Sequence, residues 1–210
     1  MIECILATDM ANHAKHYNAF KTKLESLKIK EGENFDKLLS GDDDKDHFAK
    51  NTEVQQLILS QCVHTSDLSS PAKSIEVCDK MLDLVYIEFF NQGDKEKELG
   101  LPVSMLCDRT STNVFKSQVG FIKFVVKPQF VVLYGLLPEI KEYIDNLDSN
   151  LAYYEKKVEK QERNVNRLKL NEMKENEEKV KEVEKVESSE KENKDENERK
   201  SHVLEVDLLV

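Results

Sequence analysis

The chain has 210 residues and a mass of 24.3 kDa, with 39% apolar, 34% charged and 7% aromatic residues and no Trp, room for one domain with one core. Its 31 basic and 41 acidic side chains leave a net charge of -10 and a pI near 5.1, a balance that repels a phosphate backbone and excludes nonspecific nucleic-acid binding. No apolar run approaches the ~20 residues of a membrane span, and the start, MIECILATDM, has acids where a signal peptide would be basic.

Between Ile2 and Leu27 the larger apolar residues fall at helical spacing with one broad buried face, interrupted at Thr8, Asp9 and His13. Residues 30–50 lose that periodicity and read as a solvated acidic loop; the DDDKD run lacks the alternating oxygen ligands and closing Glu of an EF-hand. A second helix is predicted from about Glu53 to Val63, its inner face marked by Val54, Leu57, Ile58 and Cys62. It delivers HTSDLSSP, where Ser69 or Ser70 is placed to cap a third helix and Pro71 to open it.

That third helix carries Ile75, Cys78, Met81, Leu82, Val85 and Phe89 at three- or four-residue spacing and is predicted to end between Asn91 and Gly93. Residues 93–112 read as a charged connection. The segment that follows has strand-like composition at Phe121 to Val126, but Val114, Phe115, Val119, Ile122 and Val126 share a helical face. Pro128 and Pro138 bracket VVLYGLL, and Ile140, Tyr143, Ile144, Leu147 and Leu151 mark a last packed helix. The fold class expected is all-α, a compact multi-helix body without tandem repeats.

Charge divides the chain. Residues 155–200 hold 15 acidic and 14 basic side chains, and Val180, Val183 and Val186 make no continuous seam, so this tail reads as an exposed, fraying helix or a disordered segment. The division predicted is a body over 1–154, a charged tail over 155–202 and a short apolar end over 203–210. Cys4, Cys62, Cys78 and Cys107 form no CxxC pair and read as buried thiols in a reducing compartment.

Polar residues that interrupt buried faces need partners, because an unpaired carboxylate or imidazole loses its hydration. In TDMANHAKH, Asp9 and His13 share a face, which suits an internal Asp–His hydrogen bond or metal ligation. In HTSDLSSP, Asp67 is placed either to ligate a divalent ion beside His64 or to cap the next helix. Glu88, before two phenylalanines, falls on a face expected to be core and calls for an imidazole or a water network. Gln118 and Phe121, three apart, put an amide beside a ring, as a pocket for a flat heterocycle requires and as an ordinary core edge also does.

Taken together, ILATDMANH (5–13), HTSDLSSPAK (64–73), EFFNQGDKEKELGLPVSMLCDR (88–109) and SQVGFIKFVVKP (117–128) strongly resemble the class I 3′,5′-cyclic nucleotide phosphodiesterase catalytic domain. The resemblance covers roughly residues 1–155, with 30–50 a divergent insertion. It implies the all-α phosphodiesterase fold, here its C-terminal half, incomplete at the N-terminal side. It also implies hydrolysis of cAMP, cGMP or both to 5′-monophosphates in cyclic nucleotide signalling. Two divalent ions, zinc with magnesium or manganese, would hold the attacking hydroxide and neutralise charge on the phosphoryl oxygens. By the same resemblance Asp67 ligates the tighter ion, Gln118 bonds the purine edge and Phe121 clamps its face. Met10, Val85 and Phe89 line the substrate cavity, and Glu88 is the acid supporting the site's histidines. Ser70 stands where some cAMP-preferring relatives have Asn, which disfavours strict cAMP selectivity.

The family's upstream HNxxH motif and later HD pair are missing from this sequence, where the nearest matches are HAKH at 13–16 and the reversed Asp46–His47. The resemblance therefore implies little or no activity for the chain alone, a need for an upstream half-domain or a homo-oligomer, and exposed apolar surface without it. The competing expectation is a catalytically inactive helical scaffold acting through its charged tail. The Lys, Glu and Asn bias of that tail resembles proteins of malaria-type parasites, whose phosphodiesterases carry membrane spans ahead of the catalytic domain. That analogy would place the domain at a cytosolic face.

Overall fold

The computed structural model describes residues 2–26 and 52–207, and among these every regular element is helical. The acidic stretch 30–50 and the last three residues lie outside the described residues. Two units are distinguished, Met1–Val158 and Glu159–Val210.

In the first unit, α1 (Ile2–Leu6) gives way to a turn at Ala7 and Thr8, and Asp9 opens a 3₁₀ turn, Met10–Asn12, by accepting from the Ala11 N–H at 3.0 Å and from Asn12 Nδ2 at 3.0 Å. This is the local side-chain bonding that makes Asp a cap former. Helix α2 (His13–Ser26) buries Phe20 and Leu24. Helix α3 (Thr52–Asp67) runs a turn further than its apolar periodicity predicts, because Ser60, Gln61, His64 and Thr65 are buried polar groups continuing its inner face. Phe20, Leu24, Val54 and Ile58 meet Leu133 and Leu136 in one core cluster.

Pro71 lies in a 3₁₀ turn, Ser70–Ala72, and not in the next helix. Helix α4 (Ile75–Glu98) begins after Ser74, so neither Ser69 nor Ser70 occupies its N-cap. It also runs past the predicted end at Asn91–Gly93 to Glu98: Gly93 is buried inside it and does not terminate it. The turn before α4 is tied to the last helix by Asn150, whose Nδ2 donates to the carbonyls of Pro71 and Lys73 at 2.8 Å each, and by Asn146, which donates to that of Ala72 at 3.1 Å. Each such buried carbonyl would cost about 1–3 kcal/mol if left unpaired.

Helix α5 (Val114–Phe121), capped by Asn113 accepting from the Lys116 N–H at 3.0 Å, settles the strand-or-helix ambiguity as helix. It widens into a π segment, Ile122–Val126, before α6 (Lys127–Tyr134). Pro128 accounts for the widening: it has no N–H for the Phe124 carbonyl, and its ring crowds that carbonyl in an α register. Ile122 and Val126 are both fully buried there. Helix α7 (Lys141–Asp207) starts beyond the Pro138–Ile140 turn, and its Leu147 and Tyr154 join Cys78, Leu82, Tyr86, Ile122, Val126 and Phe130 in the second core cluster. In the second unit α7 continues as helix with Val165, Leu168, Leu170 and Met173 exposed. No helix among the described residues is long and apolar enough to cross a membrane.

Candidate active site

Helices α4 and α5 face each other across a cavity of about 200 Å³. The three- and four-residue spacing of α4 brings Cys78, Leu82, Val85, Tyr86 and Phe89 to it, and one turn of α5 adds Ser117, Gln118 and Phe121. Ser70 and Leu106 complete the lip. Four of the predicted substrate-contacting residues, Gln118, Phe121, Val85 and Phe89, thus share one cavity although the sequence separates them by up to 36 positions. Gln118 is buried, and its Nε2 lies 3.8 Å from the Cys78 sulfur. Apolar walls with one convergent amide are what a small-molecule site needs to fix orientation.

The other predicted residues lie elsewhere. Met10 is 45% exposed on the 3₁₀ turn before α2 and is not among the residues lining the cavity. Asp67 is the exposed last residue of α3 and does not start α4. Glu88 is exposed, contrary to the core position expected of it. The buried stripe of α4 is Cys78, Leu82, Tyr86 and Gly93, and a residue two after Tyr86 points to the far side. No histidine among the described residues bonds its carboxylate.

Asp9 and His13 do not form the expected pair. Asp9 is occupied by Ala11 and Asn12, and His13 instead meets His64 of α3, Nδ1 to Nε2 at 2.8 Å. His64 is fully buried and its Nδ1 has no partner. A bare lone pair is cheaper to bury than an N–H, so the assignment that fits is His64 Nε2–H donating to His13 Nδ1. Burial lowers the pKa of both rings, reinforced at His13 by His16 and at His64 by His13, against an opposing pull from Asp67.

The folded pair thus resists protonation that the unfolded chain accepts near 6.5. Its contribution is fully present above that pH and is lost as the pH falls below it toward the lower folded values. Urea unfolding across pH 5 to 8 is expected to show declining stability below about pH 6.5, and His64→Gln to flatten that slope. An unchanged slope in the variant would show that the pH dependence does not come from this pair.

Several lining residues escaped sequence reasoning. Tyr86 and Ser117 share helical faces with Val85–Phe89 and Gln118, a signal available in the periodicity. Leu106 had none: it sits at φ 68° in the connection after α4, a left-handed backbone that a bulky residue rarely adopts. The connection is held by Glu96, which accepts from Ser104 N and Oγ at 2.6 and 2.7 Å, and by Lys97–Asp108 and Arg109–Asp94 ion pairs.

The pattern of the 3′,5′-cyclic nucleotide phosphodiesterase family matches residues 1–147, and the chain belongs to that family. Among similar proteins is a Caenorhabditis elegans protein named as a probable 3′,5′-cyclic-AMP phosphodiesterase, 36% identical over 159 residues that make 75% of this chain and 22% of that one. Another is the dual specificity calcium/calmodulin-dependent 3′,5′-cyclic nucleotide phosphodiesterase 1B of Bos taurus, 42% identical over 63% of this chain and 21% of its own length. Of solved structures, the phosphodiesterase domain of Salpingoeca rosetta rhodopsin phosphodiesterase superposes with a TM-score of 0.66 at 27% identity, covering 80% of this chain and 46% of that one. The chain therefore spans about a fifth of these curated relatives and under half of that catalytic domain.

Membership of this family implies dependence on divalent metal ions. Among the described residues, however, no three or more His, Cys, Asp or Glu side chains gather to hold an ion. Asp67 stands exposed, and the imidazole of His64 is turned to His13. The described residues do not by themselves fit a metal centre.

Proposed function

We propose that this chain carries the purine-recognising part of a catalytic domain that hydrolyses cAMP, cGMP or both to 5′-monophosphates in cyclic nucleotide signalling. The observation that carries the reading is the cavity shared by Gln118, Phe121, Val85 and Phe89. In it Gln118 bonds the base edge, Phe121 covers the base face, and Val85 and Phe89 form the apolar wall. Met10, outside this cavity on the turn before α2, is proposed to face the ligand only in the complete domain.

Catalysis belongs to the complete domain. There Asp67 supplies one ligand, Glu88 supports the histidines, and the remaining ligands come from a complementary helical segment. Two divalent ions, zinc with magnesium or manganese, are the expected occupants. Exposed apolar residues support such a partner: Val77, Leu84 and Ile87 on α4, and Ile2, Ile5 and Leu6 on α1. These faces are alternately apolar at helical spacing, as surfaces awaiting a helix are.

The pocket is testable without turnover. Titration of the isotope-labelled chain with cAMP and cGMP is expected to shift Gln118 and Phe121 resonances saturably, and Gln118→Ala to weaken binding roughly tenfold through loss of the edge hydrogen bonds. Equal affinity in the variant, or shifts confined to other residues, would refute the reading.

A further inference from the structure

A second hollow, of about 280 Å³, lies between the C-terminal end of α3, helix α6 and the first turn of α7, and it shares no lining residue with the cavity between α4 and α5. Its origin is a mismatch of side-chain size. Cys62, Thr65 and Ser66, three or four apart on α3, present small groups where Phe130 and Leu133 of α6, with Leu137 and Ile140 beyond it, present large ones. Protein interiors ordinarily close such gaps with their own side chains, because their packing is nearly crystalline. Here Phe130 and Leu133 are each committed to a core cluster, which holds the large-residue wall in place.

The two walls differ in chemistry. Phe130, Leu133, Leu137 and Ile140 make one side apolar. On the other, Ser66 gives its proton to the Cys62 carbonyl at 2.8 Å, whereas Thr65 accepts from Gln129 Nε2 at 2.9 Å and keeps its own proton to donate. Ser69 adds a second hydroxyl, and Lys73 closes this side. The Lys73 carbonyl is held by Asn150 at 2.8 Å, and its ammonium lies 4.9 Å from the centre of the Tyr143 ring. Lys73 is half-buried, and no ion pair among the described residues includes it. The acids of the adjacent turns of α7, Asp145 and Asp148, pair with Lys141 and Lys127. A partly desolvated ammonium whose one close partner is a ring face favours an anion beside it.

We propose that this hollow is a second ligand site, built for a monocarboxylate with a short hydrocarbon body. At about 30 Å³ for each group the size of a water, its volume of about 280 Å³ admits about nine such groups, the size of octanoate. The carboxylate sits against the Lys73 ammonium and accepts from the Thr65 or Ser69 hydroxyl, and the hydrocarbon lies on Phe130, Leu133, Leu137 and Ile140. A neutral apolar molecule would leave the ammonium unpaired, and a small inorganic anion would leave the apolar wall in water. The two walls together therefore select an amphiphile. The assignment stands independently of the purine reading of Gln118.

The probe is octanoate, with octanol as its uncharged counterpart, titrated into the full chain carrying labelled Leu and Ile methyl groups. Octanoate is expected to shift the Leu133, Leu137 and Ile140 resonances saturably and to slow alkylation of Cys62, read by mass spectrometry of the peptide that contains it. Octanol is expected to bind the same residues roughly tenfold more weakly, the equivalent of one hydrogen bond to a charged group. Lys73→Met brings octanoate down to the octanol level and leaves octanol unchanged. Cys62→Phe, which fills the hollow, abolishes both, with the urea midpoint as the check that it folds. If that variant unfolds, Lys73→Met, at the half-buried edge, carries the test by itself.

Shifts that do not saturate, or that fall away from these residues, mean nonspecific partitioning and overturn the proposal. Equal affinities for octanoate and octanol, or octanoate binding indifferent to Lys73→Met, overturn it as well. The same titration on the chain joined at its N-terminal side to a segment carrying HNxxH and HD separates a ligand site from a gap that a complementary segment fills. Retained binding supports the proposal, and lost binding assigns the hollow to that contact and overturns it. Saturating cAMP or cGMP is expected to leave the octanoate titration unchanged, because the two linings share no residue. Competition between them would place octanoate in the other cavity and end the claim to a second site.

Discussion

Purified alone and supplied with zinc and magnesium, the 210-residue chain is expected to hydrolyse neither cAMP nor cGMP faster than its Asp67→Ala variant. Zinc at a catalytic site takes about three protein ligands and a water, and the proposed reading draws one of them, Asp67, from this chain. Nothing nearby adds to it: among the described residues no cluster of three ligating side chains exists, and His64, three residues away, bonds His13. The sequence also has no HNxxH motif, the place where the family resemblance would put a general acid. A positioned general acid alone contributes about 10²–10⁴-fold to rate, and metal-bound hydroxide adds to that.

Joining a phosphodiesterase segment that carries HNxxH and HD to the N-terminal side is expected to restore turnover that then depends on Asp67. It should also cover the apolar faces of α1 and α4, so the joined protein elutes as a compact monomer where the chain alone self-associates. Turnover by the chain alone above the Asp67→Ala control would sink this account, as would a fused protein whose activity ignores Asp67. Asp67→Asn gives a sharper reading still, since it keeps the shape and removes the anionic ligand.

How far these features were legible depended on the range of the signal. Helices α3, α4, α5 and α7 could be placed because their apolar residues recur every three or four positions, a pattern that local geometry imposes. The cavity's Gln118 and Phe121 were legible for the same reason, being one turn apart. The His13–His64 pair was not: its members are 51 residues apart, and nothing in TDMANHAKH distinguishes an imidazole aimed at α3 from one aimed at Asp9. Asp9 was misassigned because a local cap to Ala11 and Asn12 competes with any longer-range bond, and short-range bonds require less ordering. Glu88 was misjudged by its neighbours. Phe89 and Phe90 are half-buried, but the turn of the helix carries Glu88 outward. The hydrogen bonds of Tyr154 with Cys78 and Asp79 join residues some 75 positions apart and have no sequence pattern at all.

Of the described glycines, Gly93 is the one whose replacement by alanine is expected to be most damaging. In mid-helix, alanine normally stabilises by about 1 kcal/mol over glycine, so simple propensity predicts a gain. Geometry reverses the sign. A Cβ at Gly93 would lie 2.0 Å from the Cys107 carbonyl oxygen and 2.7 Å from its carbon, distances at which backbone must move. The Cys107 segment has little freedom to retreat. Its N–H bonds the Ser104 carbonyl at 3.0 Å, Glu96 grips Ser104, and Lys97 holds Asp108 at 2.8 Å. Overpacking against such a fixed partner costs about 1–3 kcal/mol or more, enough to outweigh the propensity gain. Because Leu106 precedes Cys107 and lines the cavity, the displaced segment should also weaken cyclic nucleotide binding. Urea unfolding and the nucleotide titration together check this: a variant as stable as wild type, with unchanged binding, would show that α4 does not need glycine for close approach. The Asn91–Gly93 stretch resembles a helix end in sequence because glycine serves both purposes, stopping helices and admitting a neighbouring backbone. Only the contact with Cys107, 14 residues on, decides between them.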